Sequence, residues 1–149
     1  MTHFPDTSFL CSLYRQQVHS SRAIAYMVAL AGPLSVSSLL LLEFRQSTRL
    51  QIRLHFENKS KGFGKAAGTQ MLRHLQSDLA EKVLDIIPVD WTSVHQKAEH
   101  LSATWTETNG HRFADILQVA TALQLGVRQF LTFDANQKRL AAAEGLEVL

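Results

Sequence analysis

The chain has 149 residues, is 46% hydrophobic and 19% charged, and carries a formal charge of +2. Such a composition excludes a disordered tail and predicts one ordinary domain, residues 1–149, with enough apolar material for a core. No apolar run approaches the roughly 20 residues that span a bilayer, so no membrane association is expected.

The opening stretch MTHFPDTSFL has neither the basic region nor the long apolar core of a secretory signal. Cys11 is the only cysteine, so an internal disulfide is impossible, and a reducing cytoplasm is the expected compartment. Cys11 itself is expected to be buried on a helix.

In chain order, MTHFP predicts a short strand, and DTSFLCSLY a helix whose start is capped by Asp6, Thr7 or Ser8. Residues 20–31 read as a helix broken at Gly32-Pro33. Leu34 to Val36 is extended, and a long helix follows through about His55. Asn58 to Gly64 is a loop, Lys65 to Lys82 a helix, and VLDIIPVD a strand ended by proline. Trp91 to Trp105 reads as a helix, TETNG as a loop, and RFADILQVATALQLG as a helix closed by Gly126. VRQFLTFD is a strand, ANQKRLAAAEG a helix and LEVL a final strand. Short apolar strands alternating with helices predict an α/β fold whose mainly parallel sheet is covered on both faces.

Ligands of parallel sheets bind beyond the carboxyl ends of the strands, which directs attention to acidic residues placed there. Asp6 follows the first strand and Asp134 follows QFLTF. Asp115 falls in the first turn of a helix that is apolar all round, and such a helix is buried. Capping alone explains each of these three residues. Glu43, in SSLLLLEFRQ, is different because it shares a helix face with Leu39 and Leu40, where an ionised carboxylate needs compensation. A snorkelling boundary glutamate is the plainer alternative.

If all four converge, they repel one another and require a cation. Oxygen donors suit Mg²⁺ or Mn²⁺. The seven histidines are scattered, and neither HExxH, a Walker A loop nor GxGxxG is present. Between Arg45 and Arg73 lie Arg45, Arg49, Arg53, Lys59, Lys61, Lys65 and Arg73 against Glu57 alone. This excess suits a polyanion, although a solvated helix face explains it equally well.

On DTSFLCSLY, LLLLEFRQ, RFADILQVATAL and QFLTFDANQKRLAAAEGL, taken in this order, the chain resembles the PIN-domain nucleases, in particular the VapC-like toxins of type II toxin–antitoxin pairs. The resemblance implies a PIN-like three-layer α/β fold and a Mg²⁺-dependent endoribonuclease, with Mn²⁺ able to substitute. It also implies an acidic site of Asp6, Glu43, Asp115 and Asp134, with Asp6 and Asp115 as direct metal ligands and Thr7 and Thr132 as supporting hydroxyls. The expected partners are an RNA substrate, a small antitoxin and a second copy of the chain. Arg45, Arg49, Lys59, Lys61, Lys65 and Arg112 are candidates for positioning RNA. The chain departs from many relatives by having Gln118 in place of a histidine, and Pro5 directly before Asp6 is unusual. The alternatives are a catalytically silent PIN module binding RNA or protein, and an RNA-processing nuclease without a toxin role. A haloacid-dehalogenase-like phosphatase would need a second aspartate where Ser8 stands.

Overall fold

The computed structural model describes residues 2–149; Met1, which the predicted first strand includes, lies outside them. The elements run β1 (His3–Pro5), α1 (Thr7–Tyr14), α2 (Ser20–Ala29), β2 (Leu34–Val36), α3 (Ser38–Glu57), α4 (Lys65–Ala80), β3 (Leu84–Ile86) and α5 (Trp91–Leu101). A π-helical turn (Ser102–Thr106), α6 (Glu107–Asn109), α7 (Phe113–Gln124), β4 (Gln129–Leu131), α8 (Ala135–Ala143) and β5 (Glu147–Val148) complete the chain. The α/β architecture anticipated from the alternation of strands and helices is present, and every strand pairing among the described residues is parallel.

The strands form two separate ladders, in two compact units. The first unit comprises the described residues up to Phe9 together with Ile87–Leu149; the second is Leu10–Ile86. In the first, β4 is central, with β1 and β5 on either side, and Phe4 opposite Phe130. Phe4, Phe9, Phe130, Leu131, Val119 and Leu140 make its core, each at most 2% exposed. α7 buries nearly its whole surface, from Asp115 to Ala122, as its all-round apolar sequence requires. Pro5 is accommodated because β1 is at the edge of this ladder, where a missing N–H donor is tolerated.

The second unit pairs β2 with β3 over Leu34, Val36, Leu40, Phe44, Met71 and Leu75, all buried. The Ser37 hydroxyl accepts from the Leu40 N–H at 3.1 Å, the cap expected at the start of α3. Gly68 lets α4 approach α3 closely: a Cβ there would lie 2.4 Å from Ile52 Cδ1.

Two local expectations differ from the structure. The loop predicted over TETNG is helical as far as Asn109, and the chain turns only at Gly110, whose φ of 70° is left-handed. Cys11 is only half-buried, because Leu10 and Ser12 take the inward positions of α1. Among the described residues no helix is long and apolar enough to cross a membrane.

Candidate active site

The parallel pairing of β1 with β4 brings their carboxyl ends to one edge, and the Asp6 N–H extends the ladder by donating to the Leu131 carbonyl at 3.0 Å. Asp6 is fully buried. Its Oδ1 accepts from the Ser8 hydroxyl at 2.7 Å and the Phe9 N–H at 2.9 Å, and its Oδ2 from the Thr132 hydroxyl at 2.6 Å. Burial nevertheless dominates: it raises the Asp6 carboxyl to about 6, the three hydrogen bonds oppose the rise, and the Asp134 charge adds to it. Asp6 is thus both a helix cap, as the plain alternative held, and a member of a charged cluster.

Thr132 connects this carboxylate to the next. Its hydroxyl oxygen accepts from the Asp134 N–H at 3.0 Å, while Asp134 Oδ1 caps α8 through the Gln137 N–H at 2.9 Å. The remaining oxygen, Oδ2, is 3.8 Å from the Arg112 guanidinium. Arg112 in turn grips Asp115 in bidentate fashion, at 3.0 Å through Nε and 3.2 Å through the other nitrogen. Asp115 is 2% exposed, in the first turn of α7, where the helix dipole favours an anion. Asp6, Thr132, Asp134, Arg112 and Asp115 therefore form one connected network within the first unit.

Ser8 was not singled out by the sequence beyond capping, yet it serves the network twice. It donates to Asp6 and accepts from the Phe133 N–H at 2.9 Å. The stacked rings of Phe9 and Phe133, 5.8 Å apart, lie over the same junction. Nothing in a DTS triplet distinguishes this Ser8 from an ordinary cap. Thr7, expected as a supporting hydroxyl, has a buried Oγ1 without a hydrogen-bond partner among the described residues; the Thr132 hydroxyl is the one that bonds to Asp6 and to the Asp134 N–H.

Glu43 lies in the second unit, half-buried on α3 between the buried Leu40 and Phe44. Leu42 beside it is 61% exposed, so the leucine run is less uniformly interior than its composition suggests. Arg45 is half-buried, and Arg49, Lys59, Lys61 and Lys65 are exposed. Arg49, Arg53, Lys59 and Lys65 line a groove of about 500 Å³ together with Phe56. The Arg53 guanidinium and Lys59 ammonium stand 5.8 and 5.9 Å from the Phe56 ring centre, within cation–π range.

The donors at the sheet edge are carboxylates and hydroxyls, the set that hard divalent cations take. The raised Asp6 carboxyl marks a place that disfavours negative charge without a nearby cation, and Arg112 shows that a cation fits between Asp115 and Asp134. Among the described residues no three His, Cys, Asp or Glu side chains are grouped to hold a metal ion as they stand; Arg112 spans two of the carboxylates instead. The donor chemistry fits Mg²⁺ or Mn²⁺, with Arg112 as the competing cation.

A parallel ladder whose carboxyl edge gathers buried and half-buried carboxylates defines an α/β protein with an acidic sheet-edge site. The family model for the PIN domain matches residues 3–143, and the chain belongs to that family. Similar solved structures include VapC20 of Mycobacterium tuberculosis, a toxin that cleaves the sarcin–ricin loop; it is 18% identical over 99% of this chain and 98% of that one, with a TM-score of 0.68. FitAcB of Neisseria gonorrhoeae is 17% identical over 99% and 96%, at 0.65. VapBC2 of Rickettsia felis, bound to a DNA fragment from its promoter, is 16% identical over 100% and 98%, also at 0.65. At these identities the likeness is one of fold. No curated protein sequence matches the chain.

Proposed function

We propose that this PIN-domain protein is a Mg²⁺- or Mn²⁺-dependent endoribonuclease acting as the toxin of a toxin–antitoxin pair. The observation that carries the reading is the continuous network from Asp6 through Thr132 and Asp134 to Arg112 and Asp115, at the carboxyl edge of a PIN-family ladder. Asp6 and Asp115 would hold the metal, with Asp134 and Glu43 completing the acidic set. A bound divalent cation supplies a more acidic water and offsets charge developing on a phosphate.

The chain's own groups account for the rest. Thr132 and Ser8 fix both oxygens of Asp6, so its free lone pairs point in a set direction. Asp134, tied to Gln137 through Oδ1, presents Oδ2 beside Arg112 as the oxygen to orient or deprotonate a water. Arg112, 74% exposed beside Asp115 and Asp134, is placed to meet a phosphate at the same edge. Arg45, Arg49, Lys59, Lys61 and Lys65 attract the RNA backbone. Similar structures of toxin–antitoxin complexes, such as one from Klebsiella pneumoniae, support a small protein antitoxin as partner; a homodimer and a cytoplasmic setting belong to the same reading.

Expression in a bacterial host tests it. The wild-type chain alone should arrest growth and leave new RNA ends, Asp6→Asn should do neither, and co-expression of the protein encoded beside it should restore growth. Vigorous growth with abundant, correctly folded wild-type protein and intact RNA would contradict the proposal.

A further inference from the structure

In the same unit as the acidic network, and sharing α7 with it, lies a cavity of about 550 Å³, inside the ~300–1,000 Å³ span of ligand pockets. Its polar wall is unusual. His111 is 7% exposed and neither ring nitrogen has a hydrogen-bond partner among the described residues; the buried Thr106 hydroxyl has none either. Buried polar atoms in native proteins are nearly always satisfied, and these three belong to residues that line one cavity, so an occupant that His111 and Thr106 turn to meet would satisfy them. Thr106 ends the π-helical turn (Ser102–Thr106), a rare distortion that recurs at functional sites. Ile116 and Leu117 give the cavity an apolar floor, and Phe113, 78% exposed, stands at its rim.

We propose that this cavity is a nucleobase subsite, receiving one unpaired base of the RNA next to the cleaved phosphate; it rests on the ribonuclease reading and names the feature of the substrate that is recognised. A base has an apolar face and an edge with both donors and acceptors. Phe113 offers a ring for the face. An imidazole such as that of His111 has two ring nitrogens for hydrogen bonding, and the Thr106 hydroxyl can donate or accept, which suits a base edge. The placement follows from α7: Phe113, Ile116 and Leu117 belong to the helix whose first turn holds Asp115, and Arg112 separates His111 from Phe113 in the chain. A strand with its phosphate at the acidic network therefore has an adjacent base within reach of the cavity. Duplex RNA, with its base edges paired, has nothing to insert.

The test uses the full chain in EDTA, so that RNA is bound and not cut, with a short fluorescent single-stranded RNA and its duplex as probes. Phe113→Ala, at an exposed position, should weaken single-strand binding by about tenfold, the scale of one base–aromatic stack, and Phe113→Trp should restore it. The salt dependence should be unchanged, since no phosphate contact is lost, and duplex binding should not respond. The His111 ring signals in NMR should move on adding at least one of the four ribonucleoside monophosphates. Wild-type protein that cleaves RNA while Phe113→Ala leaves affinity unchanged and the His111 signals ignore all four nucleotides would overturn the subsite alone and leave the cavity to a protein side chain or to water. Wild-type protein that neither binds nor cleaves RNA would overturn the ribonuclease reading and the subsite with it.

Discussion

Thr132 donates its hydroxyl hydrogen to Asp6 Oδ2 at 2.6 Å, across 126 positions of sequence, and this bond joins the ends of β1 and β4 into a single acidic edge. Despite it, burial holds the Asp6 carboxyl at about 6 instead of 3.8. A carboxyl raised in the native state contributes its full stability below the unfolded value and loses it as pH rises through the native one. Between pH 4 and 6 the metal-free protein should therefore lose about 3 kcal/mol on this account. Asp6→Asn, which has no charge to bury, should melt near the wild type at pH 4 and well above it at pH 7 in EDTA. Equal melting differences at both values would show that Asp6 is not an electrostatic burden.

The Arg112 bridge leads to a second expectation. With Arg112→Ala, Asp115, which is 2% exposed in the wild type, loses its guanidinium partner, so the metal-free protein should be less stable. The stabilisation gained on adding Mg²⁺ should be larger than in the wild type, because the competing cation is gone and binding to the native state stabilises it in proportion to affinity. Calorimetric melting with and without Mg²⁺ measures both. A smaller Mg²⁺ gain in the variant would mean that Arg112 helps to form the metal site.

The groove around Phe56 should act through charge. Reversing Arg49, Lys59 and Lys65 to glutamate should weaken binding of single-stranded RNA. It should also reduce the slope of log K against log salt by about 2, since each phosphate contact contributes about 0.7 for single strands. An unchanged slope would show that these side chains are only solvated.

Glu43 tests whether α3 contributes to the acidic set. Glu43→Gln keeps the shape and removes one negative charge. As a member of the set it should lower the cleavage rate, leave the metal-free protein as stable or more so, and shrink the gain on adding Mg²⁺. A glutamate that merely reaches solvent would leave the rate and the Mg²⁺ gain unmoved, as parallel melting and cleavage assays would show.

Much of this edge was legible because its residues obey local rules. Asp6 and Asp134 follow apolar strands and cap the helices after them, and Asp115 opens a helix too apolar to be anything but buried. The bonds between them were not legible. Thr132 meets Asp6, and Ser8 meets Phe133, only through the β1–β4 register, which strands of three residues do not encode in their own sequence. Arg112 reads as a surface cation for RNA and is 74% exposed, but the sequence did not reveal that its turn before α7 also directs it onto Asp115 and toward Asp134. His111 gave no signal, because a lone histidine between Gly110 and Arg112 becomes notable only when its nitrogens are found buried and unmatched. The helical TETN stretch was missed because a π-helical turn carries the helix beyond the usual 3.6-residue period.

The most direct measurement of the central claim is the single-turnover rate at which purified protein cuts a labelled RNA, taken in Mg²⁺, in EDTA, and with Asp115→Asn in Mg²⁺. Cleavage should proceed in Mg²⁺, stop in EDTA, and fall at least ~100-fold in the variant, the scale expected when metal activation of water is lost. Cleavage that persists in EDTA and is undiminished in Asp115→Asn would contradict the account.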